Sequence, residues 1–101
     1  MKTLLNLTAA VLFSSLASVS FAGDAAAGKA KSMTCAGCHG KSGISSNSMW
    51  PNLAGQKQAY LASALQMYRD GRRKNAMMSA MAKNLTDADI ANLAAYYSGL
   101  K

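Results

Sequence analysis

Two cysteines separated by two residues, with a histidine directly after the second, constrain this chain more than anything else in it: Cys35-Ala36-Gly37-Cys38-His39. Thiols at this spacing reach two vinyl positions on one side of a porphyrin, and the adjacent histidine is then directed towards the iron. The pentapeptide therefore reads as a covalent attachment site for one c-type haem, with Cys35 and Cys38 as thioethers and His39 as proximal metal ligand. His39 is the only histidine in the sequence, so bis-histidine iron is excluded within a monomer.

Other uses of the motif explain less. A disulfide between Cys35 and Cys38 is permitted after export, but it would close a tiny loop and add little long-range stability. Zinc lacks a second Cys/His pair to complete a structural site. A thiol–disulfide redox site has the right cysteine spacing but not the βαβ surroundings expected of a thioredoxin-like centre.

Export is expected from the first residues. Lys2 supplies a positive start, an apolar stretch runs from Leu4 to Ala17, and Ser20-Phe21-Ala22 offers small residues for a signal peptidase. Asn6, Thr8, Ser14 and Ser15 interrupt the apolar run, which falls short of the ~20 residues that span a bilayer. The expected division is a cleaved signal peptide over 1–22 and one haem-bearing domain over 23–101, delivered to the periplasm. So short a domain has a marginal core of its own, and a haem macrocycle supplies the missing apolar body.

The chain carries eleven Lys and Arg against four Asp and no Glu, a formal charge of +7. Only one of the basic residues, Lys2, belongs to the expected leader. A basic domain is drawn to acidic protein surfaces and, weakly, to anionic membrane surfaces. No nucleic-acid reading motif accompanies the charge.

Three helices are expected. Asp24 caps the first, an alanine-rich segment whose Gly28 would let another helix approach closely. The second runs from Lys57 to Asp70, with Leu61, Ala64, Leu65 and Tyr68 facing inwards, Tyr60 and Met67 widening that face, and Gly71 as its stop. The third starts at Thr86, with Asp89 at the N3 position, and presents Ile90, Leu93, Ala94 and Tyr97 at helical spacing. Between the first two lies a turn-rich, exposed stretch, Gly40-Lys41-Ser42-Gly43 and Ser45-Ser46-Asn47-Ser48. No segment alternates as a strand would, so the expected class is all-α, packed around the haem.

Pro51 keeps a carbonyl that can accept the second ring proton of His39, fixing its tautomer, and Leu53 can cover the same side of the ring. The opposite face needs a sixth ligand. A methionine thioether is soft and neutral and favours ferrous iron, as a readily reduced carrier requires. Met33, Met49 and Met67 are better explained as packing residues. Met77, Met78 and Met81 lie in the expected loop between the second and third helices. Spacing does not separate them, although geometry places Met78 ahead. Asn75 could orient the ligand through its amide.

Beyond the pentapeptide, Pro51-Asn52-Leu53-Ala54-Gly55-Gln56, Tyr60-Leu61, Tyr68 with Gly71-Arg72, Met78, Leu85-Thr86-Asp87-Ala88-Asp89-Ile90 and Leu93-Ala94-Ala95-Tyr96-Tyr97 carry a wider likeness. Together they resemble a class I c-type cytochrome, over essentially all of 23–101. The likeness is to small bacterial monohaem carriers of the c-553 or c5 kind, and to one half of the dihaem c4-type carriers. It implies the small class I fold, Met78 as sixth ligand, the Pro51 carbonyl as partner of His39, and a crossing of the terminal helices at Gly28 and Tyr96. It also implies a one-electron carrier that is not an enzyme, with redox proteins such as respiratory reductases and terminal oxidases as partners. Lys41, Arg72 and Arg73 would steer acidic partners, and the carrier would be a monomer or weak dimer. The alternatives are a haem enzyme or a gas or redox sensor with a labile sixth ligand, and a non-haem thiol–disulfide protein.

Overall fold

The computed structural model describes residues 23–101. The expected signal peptide and its boundary lie outside the described residues. Within them the chain forms helices and loops and no strand, in agreement with the all-α expectation: α1 (Ala25–Lys31), a 3-10 turn (Ser32–Thr34), α2 (Ala36–His39), α3 (Gln58–Asp70), α4 (Ala76–Ala82) and α5 (Asp87–Ser98).

Asp24 starts α1 by accepting the amides of Ala26 and Ala27 at 2.9 and 3.2 Å. Alanines favour this helix locally but give it no large side chain to bury. Its hold on the molecule is Gly28, buried where α1 crosses α5. A Cβ at this position would drive into the Asn92 backbone and stand 2.8 Å from Tyr96 Cβ. The first turn is tied to the last helix again by Asp24 N–H, which donates to the Asn92 side chain at 2.8 Å.

α5 is the centre of the molecule. Thr86 Oγ1 accepts from Asp89 N–H and Asp89 Oδ2 accepts from Thr86 N–H, both at 3.0 Å, so the full capping box forms with Asp in place of the more usual Glu. Ile90, Leu93, Ala94 and Tyr97 are all buried, as their spacing predicts. Leu93, Ala94 and Tyr97 pack with Leu61 of α3, and Cys35, Leu53, Leu65, Leu85 and Tyr96 surround this cluster. α3 buries Leu61 and Ala64 and stops at Gly71, whose φ of 79° closes the helix in the left-handed region.

Three sequence expectations are corrected. The stretch carrying Met77, Met78 and Met81 is the helix α4 and not a loop: the Asn75 side chain accepts from Met77 N–H and Met78 N–H at 3.1 and 3.0 Å, and alanine and methionine propagate the turn. Tyr60 does not widen the inner face of α3; it is exposed, and its hydroxyl accepts from Arg73 Nη1 at 3.4 Å. Met33 and Met49 are exposed rather than packed, Met33 because the tight 3-10 turn carries it outward.

Candidate functional site

The site begins where α1 ends. Cys35 N–H donates to Ser32 O at 2.8 Å and His39 N–H to Cys35 O at 3.0 Å, so Cys35, Cys38 and His39 ride on one short turn of helix. Gly40 then reverses the chain with φ 84°, a conformation open to glycine, and a Cβ there would run into the Ile44 carbonyl.

The next loop folds back on itself more tightly than its composition predicts. Gly43 is buried, and its carbonyl accepts from both Leu53 N–H and Ala54 N–H at 2.8 and 3.0 Å. Ser45 N–H donates to Asn52 Oδ1 at 2.7 Å, and Gly55 N–H donates to Tyr97 O at 2.9 Å, which ties the loop to α5. This folding brings the Pro51 carbonyl to 2.8 Å from His39 Nδ1. A carbonyl only accepts, so Nδ1 carries the proton and Nε2 keeps a lone pair for a metal. His39 is buried, which holds the imidazole in this orientation.

Both thiols are free and half-buried. Burial pushes the Cys35 thiol above its ordinary pKa, with the Thr34 hydroxyl acting the other way. A thiol raised in this way is a poorer nucleophile for disulfide exchange. Among the described residues, no three His, Cys, Asp or Glu side chains converge on a metal position. Beside Cys35, the Tyr97 hydroxyl is buried and makes no hydrogen bond of good geometry, with Cys35 and Ser32 as its polar neighbours. Burial holds its acidity far below that of a free phenol. An orphaned buried donor next to the attachment cysteine, a histidine whose Nε2 is free and two half-buried thiols fit a covalently held haem.

The structure thus brings Cys35, Cys38, His39, Pro51 and Leu53 into one neighbourhood, with Leu53 packed on the same cluster as Cys35. Met78 comes from a separate element, α4, packed against α3. It is half-buried, whereas Met77 and Met81 are 54% and 47% exposed. Asn75 acts on Met78 through its backbone, by capping α4. Lys41, Arg72 and Arg73 are all exposed; Arg72 pairs with Asp70 at 3.1 Å, and Arg73 lies 4.8 Å over the Tyr68 ring. Sequence reasoning missed the Gly55–Tyr97 tie and the role of Arg69, which joins α3 to the start of α5. The asparagine ahead of Ala76-Met77-Met78 was a readable signal for α4; the contacts of Arg69 had none.

Comparison with known proteins agrees with this geometry. The cytochrome c family profile matches residues 25–101. Cytochrome c-554(548) of Halomonas halodenitrificans is 52% identical over 80 residues, covering 76% of this chain and 96% of that protein. Cytochrome c4 of Pseudomonas aeruginosa is 44% identical, covering 79% of this chain and 40% of the relative. The thiosulfate dehydrogenase electron acceptor of Thiomonas intermedia is 44% identical, covering 75% and 36%. The crystal structure of reduced recombinant cytochrome c4 from Pseudomonas stutzeri superposes with a TM-score of 0.75 at 39% identity, covering 79% of this chain and 47% of that one. The chain therefore spans nearly all of the Halomonas protein but under half of these longer relatives. A haem-attachment turn, an all-helical fold around it and a family match over residues 25–101 place this chain in the cytochrome c family, as a class I domain that carries covalent haem c and transfers electrons.

Proposed function

We propose that this protein is a soluble periplasmic one-electron carrier whose haem iron is held between His39 and Met78. The observation that carries the reading is the 2.8 Å contact from His39 Nδ1 to the Pro51 carbonyl, which leaves Nε2 as the only ring nitrogen able to bind metal. When bound, the haem supplies reversible one-electron chemistry between ferric and ferrous iron. The protein's part is to hold the ligands still so that little reorganises as charge changes. Burial of His39 and the loop ties from Gly43 and Gly55 do this on one side. The Asn75 cap does it for the backbone of Met78 on the other. Among the three methionines of α4, the half-burial of Met78 supports it over its two exposed neighbours.

Exposed Lys41, Arg72 and Arg73 suit brief, salt-sensitive encounters with acidic redox proteins. A relative that serves as the electron acceptor of a thiosulfate dehydrogenase supports an oxidising enzyme as one such donor, with a respiratory reductase or terminal oxidase as a further partner. Replacing Met78 by alanine tests the ligand set. The sulfur-to-iron absorption band should vanish and the midpoint potential should fall, because a soft ligand favouring ferrous iron is gone. The same substitution at Met77 should leave both unchanged. An unaltered band and potential in Met78→Ala would refute the assignment.

A further inference from the structure

Arg69, in the last turn of α3, reaches the two residues that flank the Thr86 cap. Its Nη1 donates to the Leu85 carbonyl at 3.2 Å, and its Nη2 stands 2.8 Å from Asp87 Oδ1. The other end of the same stretch is also pinned to α3. Arg73 N–H donates to Met67 O at 3.1 Å, and the Arg73 guanidinium lies over Tyr68 and donates to the Tyr60 hydroxyl. Residues 71–86, with α4 and Met78 among them, are thus held at both ends by arginines that rest on one helix.

Between those ends α4 packs against α3 without a long-range hydrogen bond among the described residues. Among the described residues, the hydrogen bonds of 76–84 stay local: Asn75 caps Met77 and Met78, Ser79 N–H donates to Asn75 O, and Lys83 N–H to Ser79 O. The one fully buried side chain of α4 is the small Ala82. A short helix whose hydrogen bonds stay local and whose anchors lie at its ends is the kind of unit that opens locally, well below the cost of global unfolding.

We propose that Arg69 is a positioning residue for the sixth ligand: by fastening Leu85 and Asp87 to α3 it sets how often α4 carries Met78 away from the iron. This rests on the Met78 reading above. The two contacts differ in kind. Asp87 is 86% exposed while Arg69 is 24% exposed, so the ionic contact is open to screening by salt. The bond to the Leu85 carbonyl depends on the planar fork of the guanidinium, which an ammonium does not reproduce.

The test uses ferric haem-loaded protein mixed with rising imidazole. At saturation the binding rate reports release of the native ligand. Arg69→Gln should raise this limiting rate about threefold to tenfold, with Arg69→Lys in between. High salt should speed the wild type towards the variant and leave Arg69→Gln unaffected. Gly28→Ala, which loosens the crossing of α1 and α5 at Asn92 and Tyr96 and not the Arg69 contacts, should lower the denaturation midpoint and leave the limiting rate alone. A wild-type rate in Arg69→Gln, or an equal rise in Gly28→Ala, would overturn the proposal while the ligand assignment stood. If Met78→Ala instead kept the sulfur-to-iron band and the wild-type limiting rate, the ligand assignment itself would fail and the proposal with it.

Discussion

Replacing Gly28 by alanine sets two effects against each other that the structure allows to be weighed. In an isolated helix the change helps, by about 1 kcal/mol of intrinsic propensity. In the folded molecule the new methyl group meets the Asn92 carbonyl group at less than contact distance and Tyr96 Cβ at 2.8 Å. Two of those atoms are α5 backbone and the third is fixed to it, so no side-chain rotation relieves the clash; α1 must shift away from α5. Overpacking of this kind costs about 1–3 kcal/mol, and the rigidity of the neighbours puts Gly28 at the upper end. The net loss is about 2 kcal/mol, which for a domain of this size lowers the melting temperature by roughly 8–16 °C. Guanidinium denaturation of the haem-loaded protein, followed by helical circular dichroism, measures it. Gly37→Ala is the matched control, since a Cβ there meets nothing within 4 Å; it should be neutral or stabilise slightly. If Gly28→Ala proved as stable as wild type, the close approach of the terminal helices would not be what fixes the position of α1.

Removing the Thr86 hydroxyl (Thr86→Ala) breaks half of the capping box and should cost about 1 kcal/mol, read from the denaturation midpoint with an unchanged slope. Asp89 gives a pH signature. The Thr86 backbone N–H, ahead of the Thr86 hydroxyl and the Lys31 charge, holds its carboxyl below the ordinary value. A carboxylate depressed in the folded state contributes stability above its unfolded pKa of about 4, and that contribution is lost as pH falls through the folded value. Asp89→Asn should therefore flatten the acid limb of the stability curve below about pH 4 and leave its slope near neutrality unchanged, as acid titration of both proteins by circular dichroism would show.

What the sequence determined by itself was local and chemical. The spacing Cys35-Ala36-Gly37-Cys38-His39 dictates covalent haem because thioether geometry depends on two residues between thiols and on nothing distant. The period of Ile90, Leu93, Ala94 and Tyr97, and the Thr86–Asp89 cap before it, are also settled within a few residues, and α5 follows them closely. Gly28 and Tyr96 were legible as a pair because a glycine in a helix admits a close neighbour and Tyr96 flanks the inward face of the last helix; the family likeness points the same way. α4 differs from the expected loop because Asn75 caps Met77 and Met78 and the alanines and methionines that follow are good helix formers.

Tertiary structure decided the rest. Whether Gly43 is exposed or buried depends on Tyr97 and Ala54 closing over it. The difference between Met78 and its neighbours Met77 and Met81 depends on which side of α4 turns towards the protein. The reach of Arg69 over sixteen residues to Leu85 is invisible in any local pattern. Contacts between residues far apart in the chain exist only once three helices have packed, and it is these contacts that hold the segments of His39 and Met78 in place.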